Sequence, residues 1–322
     1  MRRRDFILAS GAALAWPFAA AAQEPGRAYR VGGLSVNPRD APIIVAMFDE
    51  LRKLGFVEGQ NLTIDWRAYE PHGDLAAQFE AIVKSHPDIV YAGGPASIRA
   101  AQKATTTIPI LGVSDDMVGS GLVNSLAHPG GNTTGVSMLA GDLDGKRQEI
   151  LIEFVPGLHR MGALTDSNTT APPQLQALEN AARAHGVELS IHRIIKPDEI
   201  PAAIDAAKVS GAEALNVLES GLLWASRQII MTRAAELRLP TIYQWPEAAE
   251  EGGFVAYGPR LVETYRDLMA LQLVKLLRGA NPVDLPILQP TKFELAINLK
   301  TAKALGLTIP ESFLVRADKV IE

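Results

Sequence analysis

The sequence predicts an α/β protein of two doubly wound, parallel-sheet lobes joined by a hinge of several chain crossings. Three observations predict it. Apolar strand-like runs alternate with amphipathic helical runs, the alternation restarts after a glycine-rich interval, and a long helix near the end breaks the rhythm. Strands that alternate with helices build parallel sheets covered on both faces.

The first segment is an export signal. Residues 1–22 combine a basic start, an apolar middle and a small-residue end, with Ala20-Ala21-Ala22 as an A-x-A-like cleavage site before Gln23. The apolar middle, Phe6 to Ala15, is too short for a membrane span and is followed by Pro17. Arg3-Arg4-Asp5-Phe6-Ile7-Leu8 is similar to a twin-arginine signal; the general secretory route is the alternative. Both lead out of the cytoplasm, and the periplasm is the expected location. Removing a leader of net charge +2 leaves 300 residues and moves the formal charge from −5 to −7. That balance, with no arginine-rich stretch, argues against nucleic acid and anionic membranes as partners. With no cysteine, the chain has no disulfide, thiolate nucleophile or thiolate metal site.

In the exported chain, 29–36 (YRVGGLSV) is a buried strand, and 40–55 is a helix with Asp40 as N-cap and Gly55 as its stop. Residues 61–69 alternate like a strand near a sheet edge, and 74–86 is a helix capped by Asp74. A strand at 89–92, a helix over 96–104 and a strand over 108–114 complete the first half. The glycine-rich interval from Asp115 to Leu139 reads as the crossing out of the first lobe. After a helix over 144–155, strands at 160–166, 187–194 and 213–220 alternate with helices over 172–186, 198–209 and 222–238. Short strands at 239–245 and 252–258 follow. An amphipathic helix over 259–279, an extended linker at 281–290, and a tail of one strand and two short helices end the chain. The helix placed after the second half predicts re-entry into the first lobe. Lobe 1 then spans 23–136 plus about 258–282, and lobe 2 spans 137–257 plus about 283–322.

The motifs point away from chemistry. No G-x-G-x-x-G follows a predicted strand, and Gly93-Gly94-Pro95 lacks the third glycine and the lysine of phosphate-binding loops, so no cofactor is expected. That turn is either a plain tight turn or a helix N-terminus facing an anion. The six histidines are scattered without ligand spacing, so no metal is expected. No G-x-S-x-G elbow occurs, and no catalytic residue is assigned. Asp115 and Asp116 are either N-caps or a clamp for an ammonium group.

Position is more telling. Ligands of open parallel sheets bind outside the carboxyl ends of the strands. The residues there are small and polar in both halves: Ser35 and Asn37, Gly94, Asp115 and Asp116, Asn168, Glu219 and Ser220. Trp245 and Tyr257 end the last two short strands. Such a set suits a small polar molecule with aromatic walls around its apolar part.

The tail LPILQPTKFELAINLKTAKALGLTIPESFLVRADKVIE (285–322) resembles that of exported ABC-transporter substrate-binding proteins of the TrpX-like family. LRKLGFVEGQNLTIDWR, ATTTIPILGVSDD and GLVNSLAHPGGNTTGVS resemble the same family in the same order, as does YGPRLVETYRDLMALQLVKLLRGANPVDLPI. The resemblance covers essentially the whole exported chain. It implies a type I periplasmic-binding-protein fold closing over an amino acid or similar ligand, and delivery by a monomer to a permease and ATPase complex. It also implies that Ser35, Asn37, the turn from Gly94 to Ser97, Asp115, Asp116, Asn168, Glu219 and Ser220 line the cleft. Met117 stands where relatives often have proline. An exported sensory protein that closes the same way, or an exported α/β enzyme, are the alternative readings.

Overall fold

The computed structural model describes residues 27–68 and 74–322. The export-signal reading of 1–22 lies outside the described residues, as does Tyr69 at the end of the predicted strand over 61–69.

Two sheets carry the molecule. Tyr29–Ser35 (β1), Leu62–Ala68 (β2), Ile89–Gly93 (β3), Ile110–Ser114 (β4) and Thr133–Ser137 (β5) form a parallel sheet in the order β2-β1-β3-β4-β5. The second sheet holds Arg160–Asp166 (β6), Glu188–Ile194 (β7), Ala214–Val217 (β8), Thr241–Tyr243 (β9), Val255–Gly258 (β10), Glu294–Asn298 (β11) and Lys319–Ile321 (β12). Its order is β12-β11-β10-β9-β8-β6-β7, parallel except where β10 meets β11. The predicted fold class is therefore present, with one antiparallel pair added.

Helices cover the sheets through apolar stripes at three- and four-residue spacing. Pro42–Lys53 (α1) buries Ile43, Ile44, Met47 and Leu51; each such aliphatic side chain contributes about 1.5–3 kcal/mol on burial. Leu75–Val83 (α2) starts where predicted, with Asp74 accepting from the amides of Ala76 and Ala77. Asp40 does not cap α1. Ala41 is the N-cap without a side-chain bond, and Pro42 begins the helix because its fixed φ and missing N–H suit the first position. Pro95–Ala104 (α3) follows β3. In the second lobe come Ala140–Phe154 (α4), Pro172–Ala184 (α5), Ile200–Val209 (α6), Gly221–Ala225 (α7), Arg227–Glu236 (α8) and Pro246–Glu250 (α9). The predicted helix over 222–238 is broken at Ser226 into α7 and α8.

The glycine-rich interval is not only a crossing. It contains β5, whose β-branched Thr133, Thr134 and Val136 pair with β4. The stretch read as a linker also joins this sheet. Leu288 bridges to Val136, donates its N–H to the Gly135 carbonyl (2.9 Å) and accepts from Ser137 N–H (2.9 Å). The tail adds a second unpredicted strand, β12. The chain leaves the first sheet at Met138–Leu139 and comes back at Pro259–Arg260, before a helix over 261–277 that packs on α1. It leaves for the last time after Leu288, so crossings placed at 137 and 283 fall early.

Gly135 marks the tightest approach in the fold. At φ +148°, a Cβ there would sit 1.8 Å from the Gly112 carbonyl oxygen of β4. Backbone facing backbone cannot step aside, so Gly135→Ala is expected to cost at least ~3 kcal/mol in urea unfolding. Gly131→Ala, with open space around it, should cost only the left-handed strain of ~1–2 kcal/mol.

Candidate functional site

The carboxyl edges of the two sheets face each other, and the groups that meet there are ionic. Arg147 of α4 is fully buried, and no other guanidinium among the described residues is. Its Nη2 donates to Asp144 Oδ1 at 2.5 Å and to Glu219 Oε2 at 3.2 Å. Its Nη1 donates to the carbonyls of Tyr257 (3.1 Å) and Gln244 (3.4 Å). One guanidinium thus ties the ends of β8, β9 and β10 to α4. Asp144 is also held by Gln174 Nε2 at 2.6 Å and by the amide of Glu219 at 3.1 Å.

Asp115, from the end of β4 in the first lobe, faces this network. Burial pushes its carboxyl up to about 8, and the nearby negative charges of Asp144 and Asp166 push the same way against the pull of Arg147. The residue is half-buried, yet its Oδ2 is sealed from solvent without a partner. Glu219 is raised well above the ordinary carboxylate range. Burial is the main cause and repulsion from Asp115 and Asp144 adds to it, against the attraction of Arg147. Its Oε1 is likewise buried and unpartnered. Burial also opposes the charge on Arg147, but Asp144 and Glu219 outweigh it and keep it protonated. Two carboxyl groups, one from each lobe, are left with an open valence each. Ser114 Oγ, Thr165 Oγ1 and Trp245 Nε1 are further buried polar atoms without partners at these strand ends.

The predicted residues divide. Ser35, Ser97, Glu219 and Trp245 are buried, Asn37, Gly94 and Asp115 are partly so, and all lie on strand ends or the first turn of α3. Gly94 is the N-cap of α3 at φ +82°. In a helix opening at Pro95, the amides of Ala96 and Ser97 have no intrahelical acceptor. Three residues are otherwise engaged. Asp116 is exposed, and its Oδ1 accepts from the amides of Val118 (3.1 Å) and Gly119 (2.8 Å), so it is a cap. Ser220 spends its hydroxyl on Asp166 Oδ2 (2.8 Å) and on capping Leu222 and Leu223 of α7. Asn168 is exposed and reaches back to the Ile195 carbonyl at 3.4 Å.

The two predicted aromatic walls are separated. Trp245 packs edge-on against Trp224, with ring centres 4.9 Å apart, in an apolar cluster shared by both lobes. Tyr257 points to the other side of β10, against Phe293 in the core of the second lobe. Trp224 and Arg147 are what sequence reasoning missed. The only signal for the latter is an Asp144–Arg147 spacing of one helical turn, which elsewhere marks a solvated pair. Two open surface grooves, one beside Arg183 and Val187 and one beside Asp205 and Ile229, lie on outer helices away from these edges. Among the described residues there is no cluster able to hold a metal ion, and no helix is long and apolar enough to cross a membrane.

A family model described as ABC transporter substrate binding protein matches residues 41–321. The tyrosine-binding protein of Clostridioides difficile (strain R20291) is 27% identical over 263 residues, spanning 80% of this chain and 74% of that protein. Among solved structures, an ABC domain in complex with L-Trp from Streptococcus pneumonia superposes with a TM-score of 0.81 at 24% identity. It is covered over 100% of its length and 91% of this chain. A conserved domain protein from Vibrio cholerae o1 biovar eltor gives 0.82 at 24% identity, over 91% of this chain and 99% of that one. These structural likenesses carry the fold.

Two outcomes follow from the electrostatics. Arg147→Met should cost about 3–5 kcal/mol in urea unfolding, because Asp144 and Glu219 would stay buried without a counter-charge. For Asp115, the unfolded carboxyl ionises near ~4 and the folded one at about 8. The compact form therefore holds an extra proton between those values, and stability falls as pH rises through that window. Melting temperature against pH should show this decline, and Asp115→Asn should make it shallower, with the raised Glu219 keeping the remainder; parallel profiles would refute the assignment.

Proposed function

We propose that this chain, which belongs to the ABC transporter substrate binding protein family, captures an amino acid or similar small ammonium compound between its lobes for delivery to an importer. One observation carries the ligand class: Asp115 and Glu219 each bring a buried carboxylate oxygen without a partner, one from each lobe. Burial favours the protonated form of both carboxyls; a primary ammonium has three donors and a positive charge that favours their ionised forms, so it answers both at once. The α3 amides at Ala96 and Ser97 suit a carboxylate, and the Trp224–Trp245 pair offers an apolar wall. The relative named for tyrosine and the neighbour solved with L-Trp support the same reading.

Function then follows from the hinge. Contacts made from both lobes exist only when the lobes are together, so ligand shifts the equilibrium toward closure, and a permease can select that shape. No bond is made or broken. The basic-apolar-small leader at 1–22 supports export to the periplasm, where the protein acts as a monomer beside a permease and ATPase complex.

A thermal-shift screen of amino acids, amines, sugars and small carboxylates tests this. A true ligand at a hundred times its Kd adds ~2.7 kcal/mol, a rise of about 5 °C for a chain of this size. Asp115→Asn or Glu219→Gln should weaken that ligand by about a hundredfold. A hit that survives both substitutions, or hits only among sugars, would overturn the ammonium seat.

A further inference from the structure

One of the unpartnered atoms at the strand ends has no role in the site described above. Ser114, the last residue of β4, is 3% exposed, and its Oγ is buried with no partner among the described residues. Its backbone is engaged, because the carbonyl accepts from Met138 N–H at 3.0 Å. The hydroxyl is not. A buried hydroxyl without a partner costs free energy, and most buried polar groups avoid that cost.

Where this hydroxyl points follows from the way α3 lies on the sheet. Alternate residues of a strand face the same side, so Ser114 shares a side with Ile110 and Gly112. That side is covered by α3: a Cβ on Gly112 would lie 2.9 Å from Ile98 Cδ1, and Ile110 belongs to the same apolar cluster as Ile98. On β5, where Ser137 stands opposite Ser114, Thr133 Oγ1 accepts from Gln102 Nε2 of α3 at 3.0 Å. The helix therefore runs back along the strands. Gln102 lies over the start of β5 and Ile98 over the middle of β4, which puts the first turn of α3 over the carboxyl end at Ser114. A bond from Gly94 N–H to the Val113 carbonyl, 2.8 Å long, pins that turn to β4 one residue before Ser114.

Two donors in the turn are idle. Pro95 has no N–H, and the amide of Ile98 already donates to the Gly94 carbonyl at 3.0 Å, which leaves the amides of Ala96 and Ser97. Gly94 brings no side chain to cap them, and the place its Cβ would take has no atom within 4 Å. We infer that the Ser114 hydroxyl and the amides of Ala96 and Ser97 form one anion seat, and that this seat takes the carboxylate of an α-amino acid. The inference rests on the cleft reading above and narrows it. Ser114 and Asp115 are consecutive, so a donor for an anion and an acceptor for an ammonium stand side by side at the end of one strand. An α-amino acid carries both charges on one carbon and answers both, whereas a plain amine answers only the carboxyls. Arg147 is committed to Asp144 and Glu219, so neutral donors serve the carboxylate.

Ser114→Ala tests this in the full protein. Without ligand, the substitution removes a buried group that has no partner, so the urea midpoint should hold or rise. A fall would mean that the hydroxyl serves the fold, and would overturn the seat. Binding is read with three probes: L-tyrosine, tyramine, which lacks the carboxylate, and desaminotyrosine, which lacks the ammonium. Ser114→Ala should weaken L-tyrosine and desaminotyrosine about tenfold and leave tyramine unchanged. Equal losses for all three, no loss, or wild-type protein that holds tyramine as tightly as L-tyrosine would overturn the seat and leave the ammonium reading standing. Desaminotyrosine bound as tightly as L-tyrosine would overturn the ammonium reading and leave the seat. The same triads built on tryptophan and leucine extend the test, and a protein that binds no member of any triad overturns both.

Discussion

A single buried guanidinium among carboxylates governs the second lobe. Arg147 reaches Asp144, Glu219 and two main-chain carbonyls, so the ends of three strands and the helix α4 share one charge. Removing such a group from water is costly, and only a full set of partners offsets the cost. The strand ends are therefore fixed relative to one another before any ligand arrives. The same charge is too small to satisfy every carboxyl around it. Asp115 and Glu219 each keep a buried oxygen without a partner, because one cation cannot answer all the carboxyls gathered around it.

The first lobe solves a different problem. Its strands end in small residues, and the loops there would be loose without support from below. Gly33 illustrates the solution: a Cβ on it would lie 2.8 Å from the Trp66 ring, so the absent side chain is what lets the indole reach Tyr91 and the Asn37 carbonyl. Toward the other edge of the sheet, Gly135 lets β5 approach the β4 backbone closely, and Gly112 leaves room for Ile98 and Met117. Rigidity in one lobe thus comes from ionic bonds and in the other from aromatic packing over glycine.

Much of this was legible in the sequence because it is local. The alternation of apolar runs identifies most strands, and with them the carboxyl strand ends where Ser35, Asp115, Glu219 and Trp245 lie. What was hidden depends on packing between distant segments. β5 carries too many glycines nearby to read as a strand, and only its partner β4 and the returning segment at Leu288 make it one. Arg147 lies in a polar stretch of α4 that looks solvated until the sheet is placed against it. Asp116 and Ser220 were chosen because a cap and a ligand contact need the same side chains; the two roles differ only in which N–H groups stand nearby. Tyr257 failed for a similar reason, since β-strand neighbours point to opposite faces and a short strand gives few residues with which to fix the phase.

The indoles have a consequence of their own. Among the described residues, tryptophan occurs only at positions 66, 224 and 245, and all three sit in or against the apolar cluster that both lobes share. Indole emission depends on local polarity and on neighbouring quenchers, and the Trp224–Trp245 pair lies in the cluster to which both lobes contribute. The chain carries its own optical gauge of lobe separation, readable in dilute solution without a dye.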